Sequence, residues 1–249
     1  AEKTAITSRY ATLGGSSGTL GAKIDSEYCY VKNIDRWCVQ RYENGYIISG
    51  KYGAWESYGD IRTRWGQLGF ENGVLGYPMD EVYCYNKGAD RWCIQRYENG
   101  YIISGKYGTF ENYGDIRARW GALGYENGLL GYPRDTIYCY MKGSDRWCVQ
   151  RFENGYILSG KYGTFESYGD IRTRWGELGF ENGTLGYPRE ALYCYDKSGD
   201  NWCIQRFENG YIINGKYGAN ESYGDIRTRW AALGYENGTL GYPRENVYC

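Results

Sequence analysis

Histidine is absent from this chain of 249 residues, which also has only 4 Pro and 2 Met. Because histidine is the commonest general base and a common metal ligand, we expect neither catalysis nor a metal or other cofactor. The 29 basic and 30 acidic residues leave a net charge of −1 without a basic run, so we expect no nucleic acid or other polyanion as partner. No apolar stretch could span a membrane, and the start at Ala1-Glu2-Lys3 lacks a signal-peptide core, as in a mature or trimmed form.

Aromatic residues and glycine are abundant instead, with 30 Tyr, 9 Trp and 38 Gly, a composition typical of strands and turns. A unit of 55 residues recurs without insertion, with isoleucine at the equivalent positions Ile6, Ile61, Ile116, Ile171 and Ile226. The copies span residues 6–60, 61–115, 116–170 and 171–225, with a partial copy at 226–249. Because a single copy is too small to bury its own apolar face, we predict one repeat domain, 1–249, with a continuous core.

Each complete copy carries two cysteines on either side of a short turn. With a two-residue loop at Gly88-Ala89, Cys84 lies directly opposite Cys93, where the side chains of an antiparallel pair approach most closely. This register predicts four disulfides: Cys29–Cys38, Cys84–Cys93, Cys139–Cys148 and Cys194–Cys203. Disulfides favour an oxidising compartment, whereas zinc, the alternative, lacks further ligands at a suitable spacing. Cys249 has no partner in its copy, so either the natural chain continues or Cys249 bonds elsewhere, including to another subunit.

The remainder of the repeat predicts a three-stranded meander and a short helix. Asn99-Gly100 lies between two strand-like runs and predicts a type I′ turn with positive φ at both residues. A linker follows the third strand, and then Ile116, Trp120 and Leu123 recur at the spacing of a helix, which we expect Asp115 to cap.

Two motifs of each copy resemble the LGFP repeat: Ile-x-x-x-Trp-x-x-Leu-Gly, and then Gly-x-Leu-Gly-Tyr-Pro. They occur together at Ile61 to Pro78, Ile116 to Pro133, Ile171 to Pro188 and Ile226 to Pro243. The resemblance implies a secreted, noncatalytic array, found beside actinobacterial cell-envelope enzymes such as mycolyltransferases, that folds as a β-propeller and helps to attach proteins to the cell wall. The cysteine pairs depart from the family pattern, and the first copy is degenerate, with Tyr10 in place of tryptophan.

Two recurring positions are candidates for ligand binding. The first is an aromatic residue in the linker: Trp55, Phe110 and Phe165. In the fourth copy this position is Asn220. A core position would tolerate exchange of tryptophan for asparagine poorly, so we expect this site to be exposed and able to stack on a sugar, with a solvent-facing linker as the alternative. The second is a recurring arginine: Arg41, Arg96, Arg151 and Arg206. The alternative is that these arginines form structural ion pairs with nearby glutamates such as Glu43 and Glu208.

These features predict a mainly β fold with short helices, as a β-propeller-like array of four to five blades, each a three-stranded meander plus a short helix. We expect a secreted or cell-envelope protein that is not an enzyme and that binds cell-wall polysaccharide or another surface glycan multivalently. The second hypothesis is a structural or self-assembling extracellular repeat protein, joined through Cys249. A glycan-active hydrolase that uses two carboxylates is the third.

Overall fold

The structure is a computed structural model that describes residues 2–248. Five α-helices lie in this part of the chain: α1 Glu2–Thr12, α2 Gly59–Gln67, α3 Gly114–Ala122, α4 Gly169–Glu177 and α5 Gly224–Ala232. Each is followed by one turn of 3-10 helix, at Gly15–Ser17, Phe70–Asn72, Tyr125–Asn127, Phe180–Asn182 and Tyr235–Asn237. Within residues 2–248 the α-helices hold 9 or 11 residues, which is too few to cross a membrane.

The strands form four antiparallel sheets, each with four strands in chain order. Sheet 1 contains β1 Tyr28–Lys32, β2 Asp35–Tyr42, β3 Gly45–Gly50 and β4 Gly53–Tyr58. Sheet 2 contains β5 Tyr83–Lys87, β6 Asp90–Tyr97, β7 Gly100–Gly105 and β8 Gly108–Tyr113. Sheet 3 contains β9 Tyr138–Lys142, β10 Asp145–Arg151, β11 Gly155–Gly160 and β12 Gly163–Tyr168. Sheet 4 contains β13 Tyr193–Lys197, β14 Asp200–Arg206, β15 Gly210–Gly215 and β16 Gly218–Tyr223.

The predicted three-stranded meander is wrong, because the segment expected to be a linker is a fourth strand. In sheet 1, β4 pairs with β3 along its whole length. The buried positions of β4 are Glu56 and Ser57, so the strand has no alternation of apolar and polar residues by which to recognise it. The mainly β character with short helices is confirmed, and the propeller-like arrangement stays a prediction.

The first hairpin of each sheet has the register that the sequence predicts. In sheet 2, Cys84 faces Cys93 and Tyr85 faces Trp92 across a two-residue loop. All four predicted disulfides are confirmed, each with a Cα separation of 4.0 Å: Cys29–Cys38, Cys84–Cys93, Cys139–Cys148 and Cys194–Cys203. Cys249 lies outside the described residues.

The second hairpin does not form the predicted type I′ turn. Its loop is Glu98–Asn99, one residue earlier than expected, because β7 already begins at Gly100. The backbone N–H groups of Glu98 and Asn99 donate to the carbonyls of Tyr77 and Leu75 at 3.0 Å, which ties the loop to the segment before the sheet. Gly100 has no positive φ; a Cβ on Gly100 would lie 2.3 Å from a backbone oxygen of β8. The glycine is therefore needed for close approach of two strands.

The helices begin one residue before the predicted cap. Because α3 begins at Gly114, Asp115 lies in its first turn rather than at the N-cap. In α2 the N-cap is Tyr58, an extended residue whose side chain makes no capping hydrogen bond. The acidic residue of the first turn still lies where the helix dipole favours a negative charge.

The chain divides into two compact units, Ala1–Arg117 with Pro133–Thr136 and Ala118–Tyr132 with Ile137–Cys249. In the first unit, α2 packs on β7 and β8, and its core includes Ile61, Trp65, Leu75 and Ile102. In the second unit, α4 packs on β15 and β16 in the same way, with Ile171, Trp175, Leu185 and Ile212. Three helices, α1, α2 and α4, thus pack on the sheet that follows them in sequence, whereas α5 packs on β16 of the sheet before it. One repeat domain over 1–249 stays a prediction.

A buried glutamate on the fourth strand accepts hydrogen bonds from an arginine of the helix that packs on it. The Nε–Oε2 distance is 2.7 Å both for Arg64 with Glu111 in the first unit and for Arg174 with Glu221 in the second. Burial acts to raise the pKa of Glu221, but hydrogen bonds from Arg174 and from the backbone N–H of Val247 outweigh burial and lower this pKa. The polar character of the fourth strand is therefore a requirement of helix docking.

Candidate functional site

The aromatic candidates lie on the fourth strands and are half-buried: Trp55, Phe110 and Phe165. The indole N–H of Trp55 donates to the Tyr52 carbonyl at 2.6 Å. Asn220, the equivalent residue of sheet 4, is 6% exposed, and its amide donates to the Tyr217 carbonyl at 3.1 Å. Trp55 and Asn220 both supply an N–H to the equivalent loop carbonyl, and none of the four side chains is exposed, so the expected exposed linker is wrong. Sugar binding by these aromatic residues stays a prediction.

The arginine candidates lie near the end of each second strand, and only the last is half-buried rather than exposed: Arg41, Arg96, Arg151 and Arg206. The Arg41 guanidinium donates to Asp25, and Arg206 Nη1 donates to Glu190 Oε1 at 3.0 Å. These hydrogen bonds raise the pKa of both arginines. The expected structural ion pairs therefore form at Arg41 and Arg206, but the adjacent Glu208 is not the partner, since it accepts a backbone N–H at 3.0 Å instead. The side chains of Arg41 and Arg206 are 48% and 37% exposed, so their other guanidinium donors are accessible to a ligand.

Arg41 borders a cleft of the first unit that sequence reasoning missed. We call it the tyrosine cleft and define it by its polar walls, Tyr28, Arg41, Tyr46 and Glu71. Its cavity has a volume of about 230 Å³, and the other lining residues are apolar: Val39, Ile48, Trp65 and Phe70. The cleft therefore combines flat aromatic faces, hydroxyl groups and both signs of charge with an apolar lining.

Tyr28 is an exposed aromatic wall of the tyrosine cleft. It is 50% exposed, and its ring stacks on Tyr30 with 6.2 Å between the centroids. The Tyr30 hydroxyl is held 3.2 Å from Glu71 Oε1 and 3.1 Å from the Tyr77 hydroxyl. Burial and the nearby Glu71 carboxylate raise the pKa of Tyr28. Its hydroxyl therefore stays protonated at neutral pH and can donate a hydrogen bond to a ligand.

Arg62 of α2 orients the opposite wall. Its Cζ lies 4.5 Å from the centre of the Tyr46 ring, and its Nη2 donates to the Tyr46 hydroxyl at 2.9 Å. Phe70 packs edge-on against Tyr46 at 5.8 Å. Among the described residues, the buried Nε of Arg62 and of its three equivalents has no hydrogen-bond partner. Tyr46 is thus fixed from two sides, whereas Tyr28 is open to solvent.

The same residues recur in the second unit. In sheet 4, Tyr193 is 49% exposed and stacks on Tyr195 at 6.1 Å, while Arg227 lies over Tyr211 at 5.2 Å. In sheet 3, Tyr138 is 64% exposed. The sequence signal for these exposed tyrosines is the Tyr-Cys-Tyr motif that recurs at the head of each first strand.

The geometry favours noncovalent recognition of a flat, hydroxyl-bearing ligand. Tyrosine rings present apolar faces and polar edges, and the neighbouring arginine and glutamate supply directional hydrogen bonds. Glu27, Cys29 and Cys38 lie close enough together for a metal site, but both sulfurs are joined in a disulfide. Metal binding there would require that bond to be reduced.

The fold and the recurring surfaces define a tandem-repeat protein whose unit is a helix, a loop and a four-stranded antiparallel sheet. The chain belongs to the LGFP repeat family, because the model described as LGFP repeat matches residues 20–73, 75–128, 130–183 and 185–238. Comparison with curated proteins gives no match. Among solved structures, a "crystal structure of a thermostable family-43 glycoside hydrolase" is 9% identical over 76% of this chain and 67% of that chain. Its TM-score of 0.14 is too low to carry any argument.

Proposed function

We propose that this protein is a secreted, noncatalytic module that binds cell-wall or surface carbohydrate at several sites at once. The observation that carries the proposal is the tyrosine cleft, with an exposed tyrosine at the head of each first strand: Tyr28, Tyr83, Tyr138 and Tyr193. The β-propeller-like arrangement implied by the family resemblance is part of the same proposal.

Repetition supports weak sugar binding as the mode of action. A shallow site with one stacking ring and a few hydrogen bonds is consistent with a dissociation constant on the order of 1 mM, equivalent to about −4 kcal/mol. Linked sites on one polymer raise the overall avidity by roughly 10²–10⁴ without any new contact. Several small sites therefore suit a repetitive ligand such as a polysaccharide.

The disulfides support secretion. Four bonds close short hairpins, and all eight of their cysteines are paired. Such bonds persist in extracellular or envelope compartments and are reduced in most cytosols. The LGFP repeats are consistent with the same location.

Cosedimentation with insoluble cell-wall polysaccharide, followed by a glycan array, tests this proposal. We expect replacement of Tyr28, Tyr138 and Tyr193 by alanine to reduce the apparent affinity more than tenfold when all three are combined, and less when each is changed alone. Tyr248→Ala is the matched control, because Tyr248 is 81% exposed and lies outside the cleft. Equal binding by wild type and the triple variant, or no glycan bound by wild type, would contradict the proposal.

Self-association is a second candidate function, favoured by the outer face of α5. Ile226 is 55% exposed, whereas the equivalent Ile171 is 1% exposed under sheet 4. Leu240 is 63% exposed, whereas the equivalent Leu185 is fully buried. Arg229, the equivalent of Arg174, forms no ion pair within residues 2–248. A second copy of this chain would bury this apolar face and its unpaired charge.

Sedimentation velocity over a range of protein concentrations, with and without reductant, tests self-association. We expect Ile226→Asp to abolish a reversible dimer, while Ile34→Asp, at a residue 97% exposed on a hairpin tip, leaves it intact. A dimer that disappears only with reductant would assign the association to Cys249 instead. A single monomeric species at all concentrations would exclude this function.

A further inference from the structure

Three cations gather around two tyrosines at one end of sheet 4, outside the tyrosine cleft. We call Lys197, Lys216 and Arg244 the cation cluster. Lys216 Nζ and Arg244 Cζ lie 5.4 and 5.2 Å from the centre of the Tyr217 ring, and Lys197 Nζ lies 5.1 Å from that of Tyr242. A cavity of about 240 Å³ opens between these side chains.

The cation cluster carries an excess of positive charge. Asp200 is the one carboxylate that lines this cavity, and its Oδ2 lies 2.6 Å from Lys216 Nζ. Lys197 donates to the neutral amide oxygen of Asn237 at 2.8 Å. Arg244 is exposed and forms no ion pair within residues 2–248. Three cations and one anion leave the cavity with two uncompensated positive charges.

The arrangement is also held rigidly. Tyr242 stacks on the buried Trp202 with 3.5 Å between the centroids, and Tyr217 packs on the same tryptophan at 5.9 Å. Cation–π contact accounts for one cation over Tyr217, but Lys216 and Arg244 approach the same ring and repel each other. An anion bound between them would relieve this repulsion.

The cluster recurs in three sheets. In sheet 3, Lys161 and Arg189 lie 5.0 and 4.6 Å from the centre of one tyrosine ring. In sheet 2, Lys106 and Arg134 hold the equivalent positions at 5.1 and 4.5 Å. In sheet 1, Met79 takes the place of the arginine. The chain thus contains an internal comparison for the contribution of the arginine.

The cation cluster is continuous with the exposed tyrosine of the same sheet. Tyr193, Tyr195 and Lys197 alternate along β13 and so lie on one face, over roughly 13 Å at about 3.3 Å per residue. A saccharide stacked on Tyr193 can therefore extend along the strand to Lys197. The neighbouring residue of such a chain would present its substituents to Lys216 and Arg244.

We propose that the cation cluster binds the anionic group of an acidic polysaccharide, either a uronic acid carboxylate or a sulfate ester. This inference rests on the proposed carbohydrate binding and names the class of its ligand. Arg244 would hold the anion through its planar pair of N–H donors, and the two lysines would supply charge. Sheet 1, which lacks the arginine, would bind the neutral part of the same polymer and hold its anion less tightly.

Isothermal titration at 0.15 M salt with polygalacturonate and with its fully methyl-esterified form tests the inference, because esterification removes the carboxylate charge and leaves the sugar backbone unchanged. We expect wild type to bind the acid more than tenfold tighter than the ester. Combined Arg134→Gln, Arg189→Gln and Arg244→Gln should remove this preference and leave binding of the ester unchanged. The matched control replaces, with the same loss of charge, three exposed arginines on the opposite strand face: Arg36, Arg91 and Arg146. It should keep the preference for the acid over the ester.

Sheet 1 allows a test by gain of function, since Met79→Arg should raise the affinity for the acid and not for the ester. Dextran sulfate against dextran distinguishes the source of the anion: a preference there, with none for polygalacturonate, assigns the cluster to sulfate esters. Equal binding of acid and ester by wild type, without preference for dextran sulfate, overturns the inference while the proposed carbohydrate binding stands. Equally tight binding of a single-stranded oligonucleotide, or equal loss in the control variant, would also overturn it.

Discussion

Substitution of isoleucine by alanine at two repeat-equivalent positions isolates the effect of burial on the free energy of unfolding. Ile171 lies in the first turn of α4 and is 1% exposed, whereas Ile226 lies in the first turn of α5 and is 55% exposed. Isoleucine to alanine removes three carbon groups, each worth about 0.8 kcal/mol when fully buried, so Ile171→Ala loses about 2.4 kcal/mol before any cavity term. The cavity term brings the expected cost to roughly 3–4 kcal/mol. Ile226→Ala should cost about 1 kcal/mol, because less than half of the side chain is buried and solvent fills the space.

Equilibrium urea unfolding, followed by tryptophan fluorescence and far-ultraviolet circular dichroism, measures both costs. Both residues occupy the same helical position in the same unit, so the gain in helix propensity from alanine cancels in the difference. We expect a difference of about 2–3 kcal/mol, measured at a protein concentration where the chain is monomeric. Equal costs would refute the burial argument for α5. If the loss of unfolding free energy caused by Ile226→Ala becomes smaller on dilution of the protein, a second copy covers this face.

Three further predictions concern stability. The pKa of Glu221 is lowered in the folded state, so its contribution to stability is present above the unfolded pKa and is lost as the pH falls through the folded pKa. Glu221→Gln should therefore weaken the fall in melting temperature on the acid side of a plot of melting temperature against pH. Paired Cys84→Ser and Cys93→Ser substitutions should lower the free energy of unfolding by roughly 2–3 kcal/mol, because the disulfide joins residues nine apart. Calorimetry with and without reductant measures this cost, and reductant should have no further effect at that hairpin. Gly160→Ala would place a Cβ 2.0 Å from Trp147, so this variant should melt earlier and lose near-ultraviolet tryptophan signal, whereas an unchanged spectrum would refute the packing.

Much of the fold could be predicted because its signals are local in sequence. The spacing of Cys84 and Cys93 around a two-residue loop gave the hairpin register and all four disulfides. The helical spacing of Ile61 and Trp65 gave the buried face of α2. Where the signal was not local, prediction failed: β4 buries Glu56 only because an arginine of α1 reaches it across 47 residues.

The candidate site could be predicted only in part, for the same reason. The arginines were found because they recur, but their partners lie 16 residues away and not among the adjacent glutamates. The cation cluster was invisible as a basic run, since Lys216 follows Lys197 by 19 residues and Arg244 follows Lys216 by 28. Two hairpins and the loop of the next copy bring these residues together. A near-neutral net charge therefore does not exclude an anionic ligand when the fold concentrates one sign of charge locally.

The comparison of copies within one chain distinguishes residues needed for folding from residues that need another explanation. Each helix carries an isoleucine at the repeat-equivalent position in all five copies, as expected of a residue buried in four of them. Met79, in contrast, occupies the arginine position of a sheet that has the same four strands and the same disulfide. The fold therefore forms without arginine at this position, and folding does not account for Arg134, Arg189 and Arg244. A weak anionic contact made three times on one polymer does account for them, because avidity multiplies even small individual affinities.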